Sequence, residues 1–264
     1  MGEQGQLDAR APELYQRFLV PAMTAMWASD LVGRAALPPG QRVLDVACGT
    51  GVVARVAAEH VGVTGRVAAL DINPGMLAVA RSLPAVAGAP ISWHRGSALA
   101  LPFAAAAFDA VLCQLGLQFI PDRIAALREI RRVLVPSGRL ALNVFGPIAD
   151  NPATCALADA LDRHVRPGAS VAKRTEHALA DAAGLHALVA AAAFRDIEIH
   201  MATKMVRFAS AAHYVRAQLA ATPLAALVTG YDAGSRNRLI DTLAEEVGAD
   251  LAPYARGGEG LTFP

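Results

Sequence analysis

The stretch VLDVACGTGVVA, residues 43–54, constrains this chain more than any other. An apolar run of strand composition passes an acidic residue, crosses two glycines and enters a run with helical spacing. A strand that feeds a helix through so short a turn needs left-handed backbone, which glycine adopts without steric cost. Such a turn presents backbone amides and a helix amino end at the carboxyl edge of a sheet, where α/β folds take ligands. Gly49-Thr50-Gly51-Val52-Val53-Ala54 satisfies the G-x-G-x-x-G/A spacing of dinucleotide loops. Read from Asp45, the same residues are an acidic strand end leading into a glycine loop. The two readings differ in charge. A pyrophosphate wants N–H donors and is opposed by a carboxylate shortly before Gly49, whereas a ligand with an ammonium or sulfonium centre is favoured by one.

Around this stretch the pattern alternates. Strand-like runs fall at 43–47, 66–71, 91–95, 108–114 and 140–145, and helical periodicity at 50–60, 74–83 and 122–134. Pro74 suits the first turn of its helix, and Pro136-Ser137-Gly138 predicts a turn ahead of the last strand. This alternation, with short connections, predicts a doubly wound α/β fold whose parallel sheet is covered by helices. Residues 9–36 read as one or two amphipathic helices, with Pro21 expected to break the run. After Phe145 the rhythm stops. Residues 147–190 read as mostly helical with a loop at 166–168, 195–201 and 204–208 as an antiparallel hairpin, and the rest from 210 as helical before a glycine-rich tail. The expected organisation is a helical cap (1–40), a binding core (41–146), a helical lid insertion (147–190), and a last segment (191–264) whose hairpin and helices complete core and lid.

Composition narrows the classes further. An apolar fraction of 54% over 264 residues supports a substantial core, and a net charge of +1 gives nucleic acid or an anionic membrane nothing to hold. The three cysteines, Cys48, Cys113 and Cys155, lie far apart with no C-x-x-C pair, so neither a metal clip nor a disulfide framework is expected. The start MGEQGQLDAR lacks the apolar centre of a signal peptide, and alanine-rich apolar stretches are interrupted by charge or proline. A cytoplasmic protein with no membrane span and a small-molecule partner is the expectation; oligomeric state is left open.

Four segments together resemble the class I S-adenosylmethionine-dependent methyltransferases, in particular the small-molecule branch similar to ubiquinone/menaquinone C-methyltransferases. They are RVLDVACGTG (42–51), GRVAALDINPGMLAVAR (65–81), HRGSALALPFAAAAFDAVLCQLGLQFIPD (94–122) and ALREIRRVLVPSGRL (126–140), and PELYQRFLVPAM (12–23) looks like that family's leading helix. The resemblance implies a Rossmann-like seven-stranded sheet with an antiparallel last strand and a helical lid. It implies S-adenosylmethionine as cofactor, S-adenosylhomocysteine as product, and in-line transfer of a methyl group to carbon or oxygen of a small, partly hydrophobic acceptor. By the same resemblance Asp45, Ala47, Gly49 and Gly51 surround the methionine end of the cofactor, with Gln114 and Leu115 near it. Asp71 holds the ribose, Ile72 and Met76 flank the adenine, Ser97 and Ala98 meet its edge, and Tyr15 reaches in from the leading helix. Two positions depart from the family pattern: Ala47 replaces the first loop glycine, and Ser97 stands where an aspartate is usual.

Plainer roles stand beside these. Asp45 and Asp71 suit turn and helix capping, and Cys48 and Cys113 suit small apolar packing. No catalytic motif is visible; among the histidines, His164 and His213 fall in segments expected to cover the substrate and are the candidates for a general base. Two other functions fit the same loop: a methyltransferase fold that binds the cofactor without transferring methyl, and an NAD(P)-dependent oxidoreductase.

Overall fold

The computed structural model describes residues 10–255 and 260–264. Residues 1–9, which hold most of the polar start and the first residues of the expected cap, lie outside it, as do residues 256–259 of the glycine-rich tail. A helical run opens the chain: α1 (Ala11–Leu14), a π-helical stretch (Tyr15–Thr24) and α2 (Ala25–Ala35). Alternation follows in β1 (Arg42–Val46), α3 (Val52–Val61), β2 (Arg66–Asp71), α4 (Pro74–Ser82), β3 (Ile91–Arg95), β4 (Phe108–Gln114), α5 (Arg123–Val133) and β5 (Leu134–Asn143). Beyond these come α6 (Pro152–His164), α7 (Val171–Thr175), α8 (Ala182–Ala191), β6 (Val206–Phe208), α9 (Ala211–Ala221), α10 (Ala233–Asp250) and β7 (Leu261–Phe263).

The contacts divide these elements into two units. The first, the sheet unit, runs from Thr24 to Val144 and adds Asp181–His200. Its strands lie in the order β3-β2-β1-β4-β5, all parallel. Alternate residues of one strand enter opposite cores, as the two-residue period of a strand requires. Val43, Val67 and Ala110 join Leu31, Val32, Val53, Ala57 and Leu77 on one face. Leu44, Leu70 and Val111 join Ile130 and Val133 of α5 on the other. Because both faces are covered, the central strands β1, β2 and β4 read as largely apolar runs.

The remaining residues, those up to Met23, Phe145–Ala180 and those from Met201, form the second unit. In it α10 packs on α6 and α9, and β6 and β7 pair antiparallel with Val206 opposite Phe263 and Phe208 opposite Leu261. Phe208 stacks on Phe263 at 6.0 Å between ring centres and meets Tyr214 edge-on at 5.1 Å.

Four expectations are corrected. The main sheet has five strands among the described residues, not seven with an antiparallel last strand. The expected hairpin does not form. Residues 195–201 carry only Ile197 and Ile199 as a partly buried apolar pair among exposed charged residues, so no face exists to bury, and β6 finds its apolar partner in Leu261 and Phe263 instead. Pro21 does not end the first helix: the chain takes the wider π register through Tyr15–Thr24, with the proline inside it. Nor does Pro136-Ser137-Gly138 make a turn before the last strand. It lies within β5, where the pairing with β4 shifts register between Phe108 and Ala110.

Candidate functional site

The sheet order sets the place. From β1 the chain builds outward to β2 and β3, then returns to the other side of β1 with β4 and β5. The carboxyl ends of β1 and β4 therefore flank the point where the winding reverses, which is where open α/β sheets bind ligands.

Asp45 is the last residue but one of β1 and is 1% exposed. Its Oδ2 accepts the Ala54 N–H of α3 at 2.9 Å, so the capping role is real. Its Oδ1 is buried without a hydrogen-bond partner among the described residues. Burial holds its carboxyl well above the usual carboxylate range; the charge of Asp71 pushes the same way and the Ala54 amide opposes. An acceptor left idle in the interior is costly and calls for an explanation.

The loop after Asp45 is held in left-handed backbone at Ala47 (φ 57°), Gly49 (φ 54°) and Gly51 (φ 85°). For alanine that conformation is strained, and the site tolerates it only because the neighbouring chain makes room. A side chain at Gly116 would lie 2.6 Å from the Ala47 methyl group. Gly51 is closed in by Trp93, whose ring would stand 2.3 Å from any Cβ there. Gly49 by contrast faces open space.

Asp71 ends β2 and is 8% exposed. Its Oδ2 accepts the Gly49 N–H at 2.8 Å and its Oδ1 the Asn73 N–H at 2.8 Å. Burial pushes its carboxyl up, and the amides of Asn73, Gly49 and Ile72 offset this in part. One carboxylate thus ties the glycine loop to the loop after β2. Helix α4 is capped not by Asp71 but by Asn73, whose side chain accepts from Gly75 and Met76. Ile72 between them is 68% exposed, unusual for so large an apolar side chain at a loop tip, and Met76 is half-buried on the next turn.

The other expected positions separate. Ser97 turns its hydroxyl inward along the chain and accepts the Leu99 N–H at 3.1 Å, while Ala98 packs partly on the core with Ile130. Gln114 donates through Nε2 to the Thr24 carbonyl at 3.0 Å and leaves Oε1 buried and unpartnered. Leu115 is left-handed (φ 50°) and donates to the Asn143 carbonyl. Burial raises both buried thiols, Cys113 to about 12, so neither is a nucleophile at neutral pH. Tyr15, His164 and His213 belong to the second unit. There His164 Nε2 is paired with Glu246 at 2.5 Å, which also holds Arg163. His213 is packed edge-on to Phe18 and Phe208 at 5.3 and 5.9 Å, with Nδ1 buried and unpartnered.

Residues overlooked in the sequence are Thr50, 1% exposed with its hydroxyl unpartnered, Asn73 as the cap, and Gly116 as the space for Ala47. Asn73 ahead of Pro74 was the one with a visible signal, since asparagine before a helix-starting proline is a capping pattern. Among the described residues no cluster of His, Cys, Asp and Glu could hold a metal ion, and no helix is long and apolar enough to cross a membrane.

A five-stranded parallel sheet wound in this order, with an acidic strand end and a glycine loop at its switch point, is the Rossmann-like fold of methyltransferases. Residues 43–138 match the family model described as a methyltransferase domain. Among curated relatives, a 2-phytyl-1,4-naphtoquinone methyltransferase of Thermosynechococcus vestitus is 40% identical over 158 residues, 57% of this chain and 66% of that protein. A ubiquinone/menaquinone biosynthesis C-methyltransferase of Bordetella parapertussis is 39% identical over 124 residues, 47% of this chain and 48% of that protein. The chain thus spans from about half to just under two thirds of the length of these relatives. A solved structure, the YcgJ protein of Bacillus subtilis, shares the fold over 90% of this chain and 94% of its own, with a TM-score of 0.54 at 18% identity.

Proposed function

We propose that the chain is an S-adenosylmethionine-dependent methyltransferase acting on a small, partly hydrophobic acceptor of the quinone or phenol kind. The observation that carries this reading is Asp45: a buried carboxyl group with one oxygen idle, at the switch point of the sheet. A cation beside it lowers the cost of ionising such a group and a phosphate raises that cost, so it favours a sulfonium cofactor over a dinucleotide. The names of the curated relatives point to the same chemistry.

The residues present fit that cofactor. Asp45 Oδ1 would take the positively charged methionine end, beside the backbone of Ala47, Gly49 and Gly51. Asp71 uses one acceptor position on each oxygen for the loops and keeps a second on each for ribose hydroxyls. Ile72 and Met76 would cover the adenine, an aromatic ring for which exposed apolar side chains are the natural cover. Ser97 Oγ keeps an acceptor position for the adenine amine, with Ala98 beside it. Gln114 Oε1, idle and buried, would bond the methionine portion, with Leu115 beside it. Bound there, S-adenosylmethionine supplies a methyl group on a positively charged sulfur, which leaves as a neutral thioether. The protein's part is then to hold the acceptor in line and keep water out, a contribution that needs no conspicuous catalytic motif. Residues outside 43–138 would choose the acceptor, in keeping with a cap at the start of the chain and a lid after residue 146.

Calorimetric titration with S-adenosylmethionine, S-adenosylhomocysteine and NAD in parallel tests the reading. Binding of the first two and not the third is expected. Binding of NAD alone would overturn it.

A further inference from the structure

The second unit buries more ionisable chemistry than a structural role explains. Lys173 and Glu176 are 4% and 7% exposed, and Lys173 Nζ donates to Glu176 Oε2 at 2.7 Å. A buried ion pair of this kind adds little to stability compared with apolar side chains of the same size. Next to it His177 is 8% exposed. Its Nδ1 stands 2.6 Å from the Gly146 carbonyl oxygen. A carbonyl only accepts, so Nδ1 carries the proton and Nε2 presents a lone pair. That Nε2 is buried and has no partner among the described residues. Tyr214, fully buried, lies beside Thr154 and in the field of Glu176.

The surroundings of this idle acceptor are apolar and aromatic. The Phe145 ring lies 5.2 Å from the His177 ring. Met201 brings its methyl end to within 3.6 Å of where a side chain on Gly146 would be, yet is 67% exposed. A flexible thioether side chain of this kind moves aside easily for an apolar ligand. Phe145 and Met201 thus lie close to the paired Gly146 and His177, whose Nε2 is an acceptor left without a partner.

We infer that this unit holds a site for an aromatic hydroxyl compound, whose O–H donates to His177 Nε2 while its ring lies against Phe145 and Met201. The inference rests on the methyltransferase reading, whose proposed acceptor is of this chemical class. His177 takes its proton: the ligand O–H bond breaks, an N–H bond forms at Nε2, and the electron pair stays on the ligand oxygen, which becomes the stronger nucleophile or feeds charge to the ring carbons. Burial keeps the free imidazole neutral and ready to accept. Glu176 favours the imidazolium once formed and Lys173 moderates it. The Gly146 carbonyl fixes the ring so that the lone pair keeps its direction.

The test is a ¹⁵N spectrum of the histidine-labelled full chain with 1,4-dihydroxynaphthalene, kept reduced, and with 1,4-dimethoxynaphthalene, which has no O–H to donate. The Nε2 signal absent from His177→Asn identifies the residue; this variant keeps a donor for Gly146 and lacks the ring nitrogen Nε2. The dihydroxy probe is expected to move that signal toward the protonated position and the dimethoxy probe to leave it. Calorimetry is expected to show about a tenfold or greater loss of dihydroxynaphthalene affinity in His177→Asn, the scale of one buried hydrogen bond, with S-adenosylhomocysteine affinity retained. A motionless Nε2 signal, an equal shift with both probes, or undiminished affinity in the variant overturns the inference. If His177→Asn does not fold, a further variant, His177→Gln, serves for assignment and the wild-type spectra decide. S-adenosylhomocysteine binding is read separately. A chain that binds it while His177 stays silent loses only this inference, and one that moves His177 without binding it loses the methyltransferase reading.

Discussion

Gly51→Ala separates two reasons for a glycine that sequence motifs merge. The first is backbone: φ at Gly51 is 85°, where an L-residue with a Cβ costs about 1–2 kcal/mol. The second is space: the new methyl group would lie 2.3 Å from the Trp93 Cη2 and 2.6 Å from its Cζ3. The ring cannot simply swing away, because it packs on the core under α3 and the Arg55 guanidinium lies 5.8 Å from its centre. Overpacking of this kind costs about 1–3 kcal/mol. Gly51→Ala is therefore expected to lower the unfolding free energy by about 2–5 kcal/mol, seen in urea as a lower midpoint with unchanged slope. Repeating the substitution in a Trp93→Leu chain removes the clash and keeps the backbone term, so the cost should fall to about 1–2 kcal/mol. The coupling between the two sites is then the packing term alone. Equal costs in both backgrounds would refute the steric account. No cost in either would refute the backbone account as well, and the loop's glycine would have to be explained by the ligand.

Gly116→Ala should destabilise by about 1–3 kcal/mol through its contact with the Ala47 methyl group, and adding Ala47→Gly should restore most of the loss; denaturation midpoints of the two single variants and the double variant check this. Folded Asp45 keeps its proton to higher pH than unfolded Asp45, so from about pH 4 upward the native state binds a proton that the unfolded chain has released. The stability of the ligand-free wild type should accordingly fall with rising pH relative to Asp45→Asn, by at most about 1.4 kcal/mol per pH unit, until the native carboxyl ionises; parallel pH profiles would show that the group is not protonated. Ser97→Asp should tighten S-adenosylhomocysteine by about 1 kcal/mol, roughly fivefold, by replacing a neutral acceptor with a charged one. Unchanged affinity by calorimetry would remove Ser97 from the cofactor's contacts.

What was legible in the sequence was what neighbours in sequence decide. The β1-loop-α3 unit follows from an apolar run, two glycines and a helical period lying side by side, and the structure places the helix start at Val52 directly after left-handed Gly51. Asp45 and Asp71 were visible as strand-end acids for the same reason. Their partners were not: Gly49 donates to Asp71 across 22 residues, and the oxygen left idle on Asp45 exists only because β1 is buried between β2 and β4. The failures have the same cause in reverse. Local alternation at 195–201 read as a strand, but a strand also needs a partner with an apolar face, and β6 took the one at Leu261–Phe263. Pro136 and Gly138 read as a turn, yet a register shift against β4 absorbs them within a strand. His177 illustrates the limit most sharply. Among seven histidines nothing in the sequence separates it from His164. The structure does, by giving His164 a carboxylate partner and His177 a carbonyl at Gly146, 31 residues away. A carboxylate partner uses up a histidine's charge, whereas a carbonyl fixes its tautomer and leaves its other nitrogen open for chemistry.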